Sequence, residues 1–446
     1  MTAVPPPTPS PSLERRLGLA DAVFIGLGAM IGAGVFSVFA PAAASAGSAA
    51  ALLGALALAA VVAYCNATST AQLAARYPTA GGSYVYGRER LGEWWGFAAG
   101  WSFVIGKTAS CAAMALTFAV YALPAGAEAF ERPLAALAVA ALVCVNLFGI
   151  TRTALAARVI VVAVLAVLAV VVASGVTDAL AGSAGGAGGA GGSAAIPAAA
   201  LSDVTPYGIV QAAGLIFFAF AGYARIATLG EEVKSPERTI PRAVTVAFVI
   251  ALAVYLAIAT ATVTALGADG LASAADPLVQ VVQANGWEWA VPVVGVGAAL
   301  ASLGALLALV TGVGRTALAM GRRGDLPRAL GVVDARRSVP RRAELAVGVV
   351  IVALVLAVDL RGVIAFSSFG VLLYYFVANV SAFGQPRTER RSPRVVQLVG
   401  AAGCVVLVAA LPPSAVVAGV IVLAVGFGYR GLRLSRERRR GRSAAR

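Results

Sequence analysis

Twelve runs of apolar residues, each near the length that crosses a bilayer, leave this chain little choice of architecture. They fall at residues 19–47, 49–74, 92–122, 134–150, 153–174, 207–233, 240–266, 289–319, 344–359, 362–384, 395–411 and 414–431. Lipid offers no hydrogen-bond partner, so each run must satisfy its backbone internally, as a helix does. Hydrophobic residues make up 60% of the 446 and charged residues 12%, too little charge to cover a soluble protein of this size. The expected fold is an all-α polytopic membrane protein of twelve transmembrane helices.

The placement of charge supports that count. Arginines and one lysine gather before span 1 (Arg15, Arg16) and between spans 2 and 3 (Arg76, Arg88, Arg90). They recur between spans 4 and 5 (Arg152, Arg158), after span 6 (Lys234, Arg238, Arg242), after spans 8 and 10, and in the C-terminal tail. With twelve spans every one of these clusters lies on the same side. The opposite loops hold mainly acids: Glu128, Glu131, Asp178, Asp203, Asp269, Asp276 and Glu288. The positive-inside rule then puts both termini in the cytoplasm, with the protein in the cytoplasmic (inner) cell membrane. In a soluble chain a net charge of +14 would suggest nucleic acid. Here the location of the charge assigns it to topology, with lipid contact by the tail, and no nucleic-acid partner is expected.

The four cysteines (Cys65, Cys111, Cys144, Cys404) all fall inside predicted spans and read as small core residues, without metal-type spacing. No metal and no cofactor are expected. The chain holds no histidine and no cluster of intramembrane carboxylates, which disfavours an intramembrane enzyme. No repeat that could build a ring-shaped filter is visible, which disfavours a channel. Gly106-Lys107-Thr108 has the ending of a phosphate-binding loop, but the preceding Gly100 is one residue too far and the setting is a membrane span.

Span 1 contains four glycines in nine residues, Gly26 to Gly34, which weaken a helix at bilayer depth. Broken backbone at that depth is tolerated where it lines a cavity. Span 6 carries a second interruption near Gly222, followed by Arg225, a residue costly enough at this depth to need a cavity or partner. Spans 1 and 6 lie five apart and cross in opposite directions. Interruptions at matching positions of two halves point to a transporter built as a 5+5 inverted repeat, with helices 11 and 12 appended. The expected organisation is a disordered N-terminus over 1–14, a core over 15–385 (repeats near 15–175 and 205–385), helices 11 and 12 over 386–431, and a basic tail over 432–446. A Gly/Ala/Ser stretch at 182–193 reads as a linker.

The stretch Gly28-Ala29-Met30-Ile31-Gly32-Ala33-Gly34-Val35-Phe36 resembles the helix 1 signature of the amino acid–polyamine–organocation superfamily of permeases. The turn from Tyr77-Pro78 to Tyr86 resembles that family's Tyr-Pro-x-x-Gly-Gly-x-Tyr-x-Tyr motif. Phe217 through Glu231-Glu232-Val233-Lys234-Ser235-Pro236 to Arg242, and Arg315 to Pro327, are similar to its segments around helix 6 and after helix 8. The resemblance implies secondary active transport of amino acids by alternating access. It implies that amides of Gly32, Ala33 and Gly34 hold the substrate carboxylate, and that carbonyls of Met30, Phe218 and Ala221 hold its ammonium. Ile31 and Gly222 belong to the same substrate-binding breaks. Physics supports the division, since half-helix N-termini favour anions and C-terminal carbonyls favour cations. Phe218 and Phe220, with Phe369 of span 10, are the candidate occluding aromatics.

This sequence departs from the family at three places. Ala224 stands where many relatives carry an acid, Val164 where some proton-coupled relatives carry a lysine, and Gln72 where an acid often precedes the Tyr-Pro turn. Without a core acid, small or neutral substrates are expected over cationic ones. Lys107, midway along span 3, is the replacement candidate for proton coupling, because burial disfavours a charged ammonium. The competing reading is a fixed structural cation on backbone carbonyls. Arg225, pairing toward Glu231 or Glu232, is a candidate gate. Sodium is less expected than protons, because Ser302 of span 8 has no clustered hydroxyls around it. Three alternatives stay open: an amino acid exchanger, a polyamine exchanger, or cationic amino acid uptake.

Overall fold

The computed structural model describes residues 15–78, 81–124, 126–148, 154–184, 204–334 and 339–444. Residues 1–14, most of the linker stretch and the last two residues of the tail lie outside that set. Among the described residues the secondary structure is helical, apart from one isolated bridge between Leu17 and Val233.

The first apolar run divides into α1 (Leu19–Met30), α2 (Ala33–Ser37) and α3 (Phe39–Ala46). Then come α4 (Ala49–Arg76), the short α5 (Gly82–Leu91), α6 (Glu93–Ala122), α7 (Glu131–Leu147) and α8 (Ala154–Ala184). The sixth run divides into α9 (Pro206–Phe220), a 3-10 turn over Ala221–Tyr223, and α10 (Ala224–Ala227). The chain continues through α11 (Pro236–Ser273), α12 (Pro277–Ala284), α13 (Val291–Arg322), α14 (Arg341–Ala357), α15 (Leu360–Phe383), α16 (Arg394–Ala410) and α17 (Pro413–Ala444).

Ten of these helical segments are long and apolar enough to cross a membrane, so the protein is multi-pass. The sequence count of twelve adds α14 and α16, of 17 residues each. At 1.5 Å per residue such a helix reaches roughly 26 Å, slightly less than a hydrocarbon core of about 30 Å. The span expected over 240–266 closes where Gly267 takes φ 68°, the left-handed value that glycine adopts without a Cβ penalty. α17 continues through the basic segment to Ala444.

Polar contacts gather at two ends of the helical bundle. At one end Arg158 pairs with Asp21 at 2.8 Å, and Leu17 exchanges backbone bonds with Glu232 and Lys234 at 3.0 and 2.9 Å. There too Asp325, buried after α13, accepts from Tyr84 at 2.7 Å and pairs with Arg430 of α17. At the other end the Tyr121 hydroxyl donates to the Phe36 carbonyl at 3.0 Å, and Arg361 reaches Ser45 at 3.0 Å.

α6 runs through the interior, packed on α13 and α15. Gly106 and Gly370 meet backbone to backbone, and Ser110 shares a hydrogen bond with Ser367 at 2.6 Å. This contact fixes which face of each helix looks inward. A second polar seam joins α4, α15 and α16: Asn379 donates to Asn66 at 2.6 Å and accepts from Ser69 at 2.7 Å. Buried amides need such partners, and here the partners hold α15 in register.

Candidate functional site

The two interruptions lie against each other in the interior. α1 ends at Met30, Ile31 caps it by donating to the Leu27 carbonyl at 2.6 Å, and α2 begins at Ala33. Of the four glycines in this stretch only Gly32 leaves the helix; Gly26 and Gly28 sit within α1. The glycines serve close approach more than loosening. A Cβ on Gly34 would lie 2.8 Å from the Ala219 Cα, and one on Gly222 would enter the backbone of Ala29 and Met30. Only hydrogen at these positions lets the two breaks touch.

Between them is a narrow cavity of about 20 Å³, room for about one water molecule. The first break contributes Met30, Gly32, Ala33 and Gly34, the second Phe218, Ala219 and Gly222, and α6 contributes Lys107, Ser110 and Met114. Among the described residues the lining holds no carboxylate, and its one charged side chain is Lys107.

The carbonyls at the breaks have hydroxyl and ammonium partners. The Tyr255 hydroxyl of α11 lies between the Met30 carbonyl at 2.7 Å and the Ala219 carbonyl at 2.9 Å, bridging both interrupted spans. The Ala221 carbonyl accepts from the Tyr375 hydroxyl of α15 at 3.0 Å and from Lys107 Nζ at 3.0 Å. By contrast, among the described residues no recorded loop or side-chain bond uses the amides of Gly32, Ala33 or Gly34. The first amides of a helix lack intrahelical partners, so these remain available donors.

The sequence-based candidates separate accordingly. Met30, Gly32, Ala33, Gly34, Phe218, Gly222 and Lys107 line the cavity, whereas Ile31 is a buried cap beside it. Ala221 takes part through its carbonyl. Two aromatic candidates point elsewhere. Phe220 packs on Phe248 and Tyr255 of α11, with ring centroids 5.6 and 4.9 Å away, and Phe369 lies against Gly419 of α17. Arg225 approaches Thr228 at 3.4 Å, with Glu232 and Arg315 the charges that act on it. Glu231 and Glu232 are half-buried beyond α10, and the Glu232 carbonyl holds Leu17.

Two of the departures from the family pattern, Val164 and Gln72, have a visible place in the structure. Val164 is buried in the core of α8. Gln72 donates to Gln385 at 2.6 Å and accepts from the Arg391 amide at 2.8 Å, so a neutral amide secures the segment after α15. Ser302 is buried and has no hydrogen-bond partner among the described residues. Sequence reasoning missed Tyr255, Tyr375 and Tyr121. The available signal was a phenol in an apolar span, whose hydroxyl must find a partner.

Known proteins resemble this chain over most of its length. The family model for amino acid permease matches residues 21–429. An uncharacterized transporter of Mycobacterium tuberculosis is 55% identical over 423 residues, covering 94% of this chain and 92% of its own. The branched-chain amino acid permease BcaP of Bacillus subtilis is 23% identical over 403 residues, covering 87% and 84%. A cationic amino acid transporter of Arabidopsis thaliana, chloroplastic, is 26% identical over 394 residues, covering 83% and 66%.

Proposed function

The chain belongs to the amino acid permease family, within the amino acid–polyamine–organocation superfamily, and from that premise we propose that it carries small or neutral amino acids across the cell membrane, linked to protons, by alternating access. One observation carries this reading: two interrupted spans share a cavity, with available amides at the first break and carbonyls at both. An α-amino acid presents a carboxylate and an ammonium on a single carbon. In the proposed complex the amides of Gly32, Ala33 and Gly34 take the carboxylate, while carbonyls of Met30, Phe218 and Ala221 take the ammonium. These main-chain contacts read the two groups that every α-amino acid shares, so the remaining lining, with Met114 and Ser110, selects among side chains.

Lys107 is the proposed proton carrier. It lines the cavity and is buried, and among the described residues it has no ion-pair partner. A cation there, with no acid opposite it, favours neutral over cationic substrates. The relatives' names alone do not choose, since they include both branched-chain and cationic transporters. The topology goes with this reading: twelve crossings, repeats near 15–175 and 205–385, and both termini cytoplasmic, supported by the arginine-rich loops gathered at one end. The 20 Å³ cavity must widen to admit an amino acid, and the two breaks are the natural hinges.

The test is uptake into proteoliposomes across a panel of labelled amino acids, with and without a pH gradient. The expected result is gradient-stimulated uptake of small neutral amino acids. It should be abolished in Gly32→Leu, where even the Cβ would come within 2.9 Å of Ala305. Uptake that ignores the gradient but needs internal amino acid would replace symport by exchange. Intact transport in Gly32→Leu would remove the main-chain site.

A further inference from the structure

Lys107 occupies a seat that the proposed site also assigns to its ligand. Its Nζ donates to the Ala221 carbonyl at 3.0 Å, and that carbonyl already accepts from Tyr375. A carbonyl oxygen has two lone pairs, so both are taken. A substrate ammonium cannot reach Ala221 until one donor leaves. Tyr375 is fixed by ring contacts with Tyr223 and Phe217, at 4.7 and 5.9 Å. Lys107 has a long flexible stem, and the Ala221 bond is its sole recorded hydrogen bond among the described residues.

We propose that Lys107 changes partners when substrate arrives: its ammonium leaves the Ala221 carbonyl for the substrate carboxylate, and the substrate ammonium takes the vacated carbonyl. This rests on reading the cavity as an amino acid site. The exchange conserves hydrogen bonds and adds an ion pair in a water-poor interior, where such a pair is stronger than a bond to a neutral carbonyl. Lys107 thereby becomes a substrate-contacting residue as well as a proton carrier. No proton leaves it during binding.

Two consequences follow from the exchange. A ligand must bring both groups, because an amine lacking a carboxylate would displace Lys107 and offer the cation nothing in return. Primary amines and polyamines are therefore rejected. Proton and substrate also favour each other, since only a protonated Lys107 can pair with the carboxylate. The titratable groups around it are Cys111 one turn along α6, Tyr375 from α15, Tyr223 at the second break and Tyr255 from α11. All are thiol or phenol and uncharged at neutral pH in ordinary settings, so the substrate supplies the anion. Affinity should hold while Lys107 is protonated and fall as rising pH removes its proton.

The test is equilibrium binding to the full chain in detergent. The probes are neutral L-amino acids, each beside its matching primary amine and its carboxamide. Wild type should bind the amino acid, ignore the amine and the amide, and lose affinity as pH rises into the alkaline range. Lys107→Met should weaken binding by roughly tenfold to a hundredfold, as loss of a charged hydrogen bond does, and keep only the alkaline loss set by the substrate's own ammonium. Lys107→Arg, which keeps its charge, should bind at neutral pH and lose affinity only where the substrate's own ammonium gives up its proton. Amines binding as well as amino acids, affinity that improves with pH, or a Lys107→Met variant of wild-type affinity would each overturn the exchange. The first two need no variant, so a misfolded Lys107→Met leaves the proposal exposed. Absence of any amino acid binding to wild type would defeat the functional reading itself, and the exchange with it.

Discussion

At the first interruption the chain leaves the helix for two residues, Ile31 and Gly32, whereas at the second it only tightens into a 3-10 turn over Ala221–Tyr223. The chemistry differs in the same sense. Among the described residues no loop or side-chain bond uses the amides of the first break, and its Met30 carbonyl is held by one hydroxyl. The second presents acceptors that other helices already cover, with Tyr255 on Ala219 and with Tyr375 and Lys107 on Ala221. In the proposed cycle an anion can therefore enter at the first break without displacing anything. A cation must displace a donor at the second. The tighter break is the one stabilised by the rest of the protein.

The largest effect expected within this comparison is at Gly222. Its Cβ would meet the backbone of Ala29 and Met30, which has no flexible end to give way. Gly222→Ala should cost about 3 kcal/mol, the upper range for overpacking, and should abolish uptake while lowering the melting temperature in detergent. Gly32→Ala meets the Ala305 side chain at 2.9 Å instead, and a side chain can shift. A Gly32→Ala variant as damaged as Gly222→Ala would show that the two breaks are equally constrained.

Next in size is Tyr255→Phe. The change keeps the ring against Phe220, 4.9 Å away, and removes the one hydroxyl that bridges Met30 and Ala219. A buried carbonyl left without a partner costs about 1–3 kcal/mol. Thermal melting of the variant should fall by that amount at constant ring packing. Wild-type stability would mean that the hydroxyl does not staple the two breaks.

Much of this was legible in the chain. Apolar run length, arginine alternation and the glycine-rich stretch of span 1 gave the helices, the two ends and the first break. The second break was readable from Gly222 and Arg225 because both are expensive in a membrane helix. The rotation of each helix about its axis was not legible. Gly370 and Ser367 face α6, and at 100° per residue Phe369 is turned away from both, toward Gly419. Nothing local says which face wins, because the Gly106–Gly370 contact that decides it joins residues far apart in sequence. The same holds for Tyr255, which lies 225 residues from the carbonyl it holds. Lys107 stood out as an anomaly, yet its partner Ala221, 114 residues away, depended on the fold.

The smallest effect should come from Tyr375→Phe, and its smallness is informative. Removing this hydroxyl leaves the Ala221 carbonyl with Lys107 as its remaining donor, so no buried acceptor is orphaned. The ring stays stacked on Tyr223 at 4.7 Å. The cost should be that of one ordinary hydrogen bond, about 0.5–1.5 kcal/mol, read as a modest drop in melting temperature. The second break would then tolerate the loss of one donor where the first tolerates none, because among the described residues Met30 has only Tyr255. In the double variant Tyr375→Phe with Lys107→Met, Ala221 loses both donors, and the destabilisation should exceed the sum of the single changes. Simple additivity would mean that the two donors do not share one acceptor energetically, and the second break would no longer count as the doubly covered one.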